Sequence, residues 1–479
     1  MPKFFYMSRS NKRNLYNQIF ENVTIQGVAA EGKAIARHDN MVIFVNYGAP
    51  GDVVDIQIKK TRRRHMEGEI IRFHEKSALR AEPFCEHFGI CGGCKWQHLS
   101  YDEQLSNKQK QVTDSLERIG KVNYPYELIP ILGSEQTQHY RNKLEYTFAS
   151  RRWFTPDEIR SQEAITDTQA LGFHIPGFFD KVLDIKKCWL QPDPSNEIRL
   201  AVKAFALQHQ ISFFDFKTNE GLLRNIIIRN NEKGQFMVIV VVSSGEEEKR
   251  NLLLDFIRQN FSAVVSLHYM INDKKNSSIT DLQPVLHAGS AWLMEEMEGL
   301  QFKIGPKSFY QTNSRQAYGL YRIARDFAAL TGHERVYDLY TGTGTIANFV
   351  ARQASQVIGV EYVEEAVEHA RENASMNGLS NLVFEAGDMA RVLTEEFLER
   401  HGKPDVIITD PPRAGMHPDV TQRIAESGAQ RVVYVSCNPA TQARDIELLS
   451  EKYRVCRVQA VDMFPHTQHV ESVVLLEKI

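Results

Sequence analysis

Between residues 18 and 75 the chain alternates apolar and polar positions in short runs separated by glycine-containing turns. The runs at 20–25, 32–36, 41–45, 53–58 and 67–73 carry the period of two that marks half-buried strands. Five short strands over residues 18–78 predict a small barrel of the OB type, a fold that often binds oligonucleotides. Residues 99–122 change to helical spacing through Leu105, Val112, Leu116 and Ile119 and stop at Gly120. The segment 127–305 reads as a mixed α+β region with strands at 144–148, 171–174, 225–229, 236–242 and 263–270. From 306 onward strands and helices alternate: helix 316–330, strand 335–339, helix 347–354, strand 356–360 and helix 363–377. Strands at 382–385, 406–409, 431–435, 455–463 and 472–477 complete the series. That alternation predicts an α/β domain with a parallel sheet and crossover helices.

Composition changes the picture little. The 479 residues are 42% hydrophobic and 24% charged with a net charge of −3, as in ordinary globular proteins. No apolar run approaches the roughly 18 residues that span a bilayer. The N-terminus lacks the apolar core and cleavage site of a leader, so a cytoplasmic protein with no membrane partner is expected. Charge distribution says more: residues 1–80 hold 14 Lys and Arg against 8 Asp and Glu, densest at KKTRRRH, 59–65. A basic run beside a small barrel is a reasonable phosphate-contacting surface, although such runs are often only solvated faces.

Six cysteines in so long a chain argue for chemistry or metal rather than a disulfide scaffold. Cys85, Cys91 and Cys94 fall within ten residues, with Gly92 and Gly93 between the last two, and Cys188 is the nearest candidate for a fourth ligand. The set suits a four-cysteine zinc site or a [4Fe–4S] cluster; the missing second CxxC pair weighs against a zinc ribbon. Radical chemistry is not expected, since CxxxCxxC is absent.

In the C-terminal domain, DLYTGTGTIA at 338–347 follows the first strand and opens a helix, the G-x-G-x-x-A form of a nucleotide-binding turn. Glu361 ends the next strand in GVE, Asp388 follows the third in AGD, and Asp410 follows the fourth in DPPR. Each acid is individually a plausible helix cap, but one at each of four successive strand ends points to a bound nucleoside. The DPP loop and the absence of a second mononucleotide half favour S-adenosylmethionine over a nicotinamide. The fifth strand runs into Ser436, Cys437, Asn438 and Pro439. A thiol at the carboxyl end of a sheet strand sits where open α/β sheets bind ligands, though a lone cysteine is more often buried and inert.

Together, SFYQTN at 308–313, DLYTGTGT, GVE, DPPRAG, VSCNPAT and FPHTQHVES resemble the RNA uracil-C5 methyltransferases. The likeness extends over most of the chain and is strongest to the iron–sulfur branch acting on 23S ribosomal RNA. The resemblance implies an N-terminal TRAM-like barrel (18–78), a central cysteine-cluster domain (82–98 and 127–305) and a Rossmann-like methyltransferase domain (99–126 and 306–479). It implies Cys437 as nucleophile, Glu471 as general base, and cofactor contacts at Gln311, Tyr340, Thr345, Glu361, Asp388 and Asp410. It also implies a structural or RNA-positioning [4Fe–4S] cluster on Cys85, Cys91, Cys94 and Cys188, an RNA partner in 23S rRNA, and a monomer. Where the family often has asparagine after the second glycine of the loop, this chain has Thr345.

The residues suit that chemistry independently. Uracil C5 is too weak a nucleophile to take a methyl from a sulfonium until a thiolate adds to C6, and a base must then remove the C5 proton. Three alternatives stand beside this reading. The same reaction on the T-loop uridine of tRNA uses the same residues. Amino-group methylation leaves SCNP unexplained, and an iron–sulfur RNA-binding or redox-sensing protein leaves Cys437 and Glu471 idle.

Overall fold

The computed structural model describes residues 15–29, 31–161 and 167–479; residues 1–14, on which the leader reading mainly rests, lie outside them. The chain forms two compact units. One gathers the described residues up to Phe84 with Cys94–Asn107 and His466–Gln468; the other gathers Cys85–Gly93, Lys108–Pro465 and His469–Ile479.

In the first unit, Ile19–Val28, Ala34–His38, Met41–Val45, His65–Glu75 and Val53–Thr61 close in that order into a barrel. Alternate side chains such as Ala34, Ala36, Val54, Ile56 and Ile58 fill it, because successive strand residues point to opposite faces. The basic run expected to meet phosphate is the exposed tip that joins the two long strands Val53–Thr61 and His65–Glu75. Asp52 is fully buried at the barrel's edge and holds the following loop. It accepts hydrogen bonds from Arg80 (2.7 and 2.8 Å), the Ser77 amide (2.9 Å) and the Ala49 amide (2.6 Å).

The second unit contains two large sheets. The seven-stranded one runs Val285–Gly289, Val264–Ile271, Phe236–Val242, Leu223–Asn230, Lys143–Ala149, Ala170–His174 and Val182–Asp184. Every residue of Phe236–Val242 is buried, which explains its unbroken apolar sequence: both faces are covered. Val238, Val240 and Val242 pack with helices Ser195–Gln208 and Glu247–Asn260. Met237, Ile239 and Val241 join a core containing helix Ser314–Ala328 and the ribbon Leu293–Met297/Leu300–Ile304.

The eight-stranded sheet has the order Leu382–Ala386, Gln356–Glu361, Arg335–Leu339, Val406–Thr409, Arg431–Ser436, Glu471–Lys478, Tyr453–Val461, Glu127–Leu132. Its first five strands are parallel, as expected. The parallel pattern ends there, because Glu471–Lys478 runs antiparallel to both of its neighbours. Only residues 462–470 join it to the preceding strand, too few for a crossover helix but enough for a reversal. A second departure concerns Glu127–Leu132, which sequence placed at the start of the central domain. It pairs instead with Tyr453–Val461 at the edge of the eight-stranded sheet; apolar alternation marks a strand but not its partner.

Helix Tyr101–Arg118 lies within the expected 99–122. Its buried stripe is Gln104, Lys108, Val112 and Leu116, while Ile119 is 38% exposed. Two polar residues on that stripe hid half of the buried face from an apolar count. Among the described residues no helix is long and apolar enough to cross a membrane.

Candidate active site

The strand ends of the eight-stranded sheet assemble the site. Arg335–Leu339 delivers Asp338, whose buried Oδ2 accepts from Thr341 Oγ1 at 2.5 Å, while its Oδ1 has no partner. Tyr340 and Gly342 adopt positive φ (62° and 57°) and Gly344 caps helix Thr345–Ala351 at φ 76°. A Cβ at Gly342 would meet nothing within 4 Å, so open space lies beside that turn, whereas one at Gly344 would strike Ala370 and the Phe384 ring. Glu361 is held from both sides: its Oε2 accepts from the Gly342 amide (3.1 Å) and its Oε1 from the Val363 amide (3.0 Å). Asp388 caps Met389–Val392 by accepting from the Ala390 amide at 3.0 Å. Burial, followed by the charges of Asp445, Asp388 and Glu361, pushes the Tyr340 hydroxyl up to about 12. Thr345 is buried at the start of its helix. Gln311 is 7% exposed, and its carbonyl accepts from Asn142 Nδ2 at 2.9 Å.

Cys437 follows Arg431–Ser436, and Glu471 opens the adjacent strand. Ser436 pairs with Ser472 in that antiparallel ladder, so Cys437 and Glu471 each lie one residue beyond the last paired position, and their thiol and carboxyl act on one another. Burial pushes the Cys437 thiol up to about 11; the Glu471 and Asp410 carboxyls add to the rise and the Arg413 guanidinium opposes it. The Glu471 carboxyl is held well above its ordinary value of 4.5 by burial and then by Asp410, again opposed by Arg413. Burial alone pushes Asp410 up to about 7. Asp338 also rises to about 7, through burial and Asp410 against the Thr341 hydrogen bond. The site thus gathers several buried carboxyls around one nearby guanidinium and is short of positive charge. A sulfonium-bearing nucleoside fits that donor set: a cation suits the carboxyls, and the space at Gly342 and the free Asp338 Oδ1 suit a bound group.

Several supporting residues were missed by sequence. The HYRNK segment at 139–143, which precedes a strand and concentrates Arg141 and Lys143, is a strut. Tyr140 Oη donates to the Pro465 carbonyl (3.1 Å), and Asn142 Nδ2 reaches both the Gln311 carbonyl and Ser314 Oγ (2.8 Å). Lys108 and Asp462, both fully enclosed, pair at 2.5 Å, and Lys108 also donates to the Phe464 carbonyl (3.0 Å). Asn313 and Gln316 hold the Met463 and Asp462 carbonyls at 3.0 and 2.9 Å. The loop leading to Glu471 is therefore fastened by four side chains distant in sequence.

The four cysteines divide: Cys85, Cys91 and Cys188 belong to the second unit and Cys94 to the first. Among the described residues no three His, Cys, Asp or Glu side chains converge as a metal-ion site. Burial raises all three thiols of the second unit, and backbone amides partly oppose the rise. Backbone amides donate to Cys85 (His87, Phe88), Cys91 (Gly93) and Cys188 (Leu190). Burial pushes Cys91 up to about 12, with Cys188 and Cys85 adding to the rise. Amide donors to several neighbouring sulfurs suit an iron–sulfur group. Cys456, which has no motif around it, lies against Glu477.

A parallel sheet ending in a glycine turn and a series of acids, with a thiol and a carboxyl at the next two strand ends, defines an S-adenosylmethionine-dependent methyltransferase. Residues 293–479 match the family described as tRNA (uracil-5-)-methyltransferase, and residues 20–71 match the TRAM domain. The chain is 59% identical to a protein of Bacteroides thetaiotaomicron described as an uncharacterized RNA methyltransferase, over 94% of this chain and 100% of that one. A protein of the same description from Porphyromonas gingivalis is 54% identical over 94% and 98%. Among solved structures it resembles the Pyrococcus abyssi tRNA (uracil-54, C5)-methyltransferase in complex with S-adenosyl-L-homocysteine. The TM-score is 0.72 at 28% identity, over 95% of this chain and 99% of that one. The chain belongs to the RNA methyltransferase family of these relatives, and its C-terminal part matches the tRNA (uracil-5-)-methyltransferase model.

Proposed function

We propose that this protein methylates C5 of a uridine in RNA through a covalent enzyme–RNA adduct. The observation that carries the reading is the gathering of Cys437, Glu471 and Asp410 at adjacent strand ends, close enough to act on one another. The Cys437 sulfur forms a bond to uracil C6, and the C5–C6 electron pair moves toward C5 and the O4 enolate. S-adenosylmethionine, held by Gln311, Tyr340, Thr345, Glu361, Asp388 and Asp410, supplies the electrophilic methyl. C5 takes the methyl as the methyl–sulfur bond breaks and its pair returns to sulfur, giving the neutral thioether S-adenosylhomocysteine. Glu471 as carboxylate takes the C5 proton, the C5–C6 double bond re-forms and the C6–S bond breaks with the pair returning to Cys437. Both groups must shed a proton first, and Arg413 is the cation that favours their charged forms. The target base has to leave its stack to reach a thiol at a strand end. The exposed basic tip of the barrel supplies phosphate contacts.

The proposed substrate is 23S rRNA, modified in the cytoplasm by a monomer. Cys85, Cys91, Cys94 and Cys188 would hold a [4Fe–4S] cluster with a structural or RNA-positioning role, since the reaction moves no net electron. The tRNA T-loop is the second reading: the full-length likeness to an archaeal tRNA enzyme means that barrel and cysteine domain do not separate the two substrates. Mass-spectrometric mapping of 5-methyluridine in 23S rRNA and tRNA from cells with and without the gene decides. Loss at a 23S position supports the proposal; loss at the T-loop transfers the mechanism to tRNA; no loss in either RNA overturns it.

A further inference from the structure

Helix Pro439–Leu449 begins two residues after Cys437, and its fully buried Gln442 sits across the end of the Cys437–Glu471 ladder. Gln442 Nε2 donates to the Tyr434 carbonyl at 2.8 Å and to the Ser472 carbonyl at 3.3 Å. Ser472 Oγ donates back to Gln442 Oε1 at 2.5 Å. One side chain therefore grips the nucleophile's strand and, twice, the residue next to Glu471. We propose that Gln442, with Ser472, is a positioning pair that fixes the Glu471 carboxyl against the Cys437 adduct for removal of the C5 proton.

The nucleophile has tethers of its own. Tyr434 Oη donates to Asp445 Oδ2 (2.7 Å), which also accepts the Met416 amide (2.7 Å). Asn438 Nδ2 and Thr441 Oγ1 donate to the Arg413 carbonyl at 3.0 and 3.2 Å. Loss of Gln442 leaves that side of the site anchored and removes the side-chain clamp on Ser472, so that Glu471 keeps its ladder pairing but loses the fine positioning from its neighbour. Cysteine addition and methyl transfer then continue while proton removal slows, because reaction rates fall steeply with sub-ångström misplacement.

The inference rests on the proposed Cys437/Glu471 chemistry, and the test separates the two. Wild-type, Gln442→Ala, Ser472→Ala and Cys437→Ala proteins are given methyl-labelled S-adenosylmethionine and substrate RNA in single turnover. The ratio of denaturation-stable protein–RNA adduct to released 5-methyluridine is read; being a ratio, it does not depend on the fraction folded. Gln442→Ala is expected to raise the ratio at least tenfold, Ser472→Ala by less, with the KM for RNA within twofold of wild type. A ratio unchanged within twofold in Gln442→Ala overturns the positioning role whatever its total activity. Full activity in Cys437→Ala overturns the underlying chemistry instead.

Discussion

Cys437 and Glu471 each lie one residue beyond the Ser436–Ser472 pair, where two antiparallel strands end and begin. A parallel fifth and sixth strand would have put the two residues at unrelated heights. The reversal lets one strand finish, and the next begin, at the same point on the sheet.

Cys437→Ala is expected to lower methyl transfer by more than about 10⁴-fold, as removal of a nucleophile does elsewhere, with RNA affinity retained. Glu471→Gln should form adduct and stall, with turnover down about 10²- to 10⁴-fold. Gel-resolved adduct and product counts check both; adduct in Cys437→Ala or normal release by Glu471→Gln would contradict the assignment.

Arg413 holds the Cys437 thiol and the Glu471 carboxyl lower than burial alone would. Removing it raises both, so less of each is charged at a given pH. Arg413→Ala should show a rate that rises with pH along a limb displaced to higher pH than wild type. A pH–rate profile at saturating cofactor reads the displacement, and an unmoved limb would count against this role.

Lys108 and Asp462 are fully enclosed, and removing one member of such a pair leaves the other charge without compensation. Lys108→Ala is expected to lower stability by about 3–5 kcal/mol. The double variant Lys108→Met/Asp462→Leu should recover much of that loss. Urea unfolding of the three proteins measures it.

Anaerobically reconstituted protein should contain iron and acid-labile sulfide in equal amounts. Cys188→Ser should lose most of both, whereas Cys456→Ser should keep them. Retention of the full complement by Cys188→Ser would exclude that residue as a ligand.

Much of this was legible in the chain. The barrel runs, the strands at 335–339 and 406–409 and the acids after successive strands follow from period, turn chemistry and position, all local properties. The long-range polar fastenings were not legible. Lys108 looks like a surface lysine until its Asp462 partner, 354 residues away, is brought to it. Gln104 and Gln442 are polar residues on buried helix faces, where an apolar count reads a gap. The pairing of Glu127–Leu132 escaped for the same reason, since a strand's sequence does not name its neighbour.

That edge pairing has a bearing on synthesis. Glu127–Leu132 lies beside Tyr453–Val461, so the strand waits for about 320 further residues before its partner exists. At translation rates of about 5–20 residues per second, the wait is roughly 15–60 s. The strand bearing Glu471 is made later still. On the ribosome, the nascent chain therefore passes through a long interval in which this sheet is incomplete at its edge.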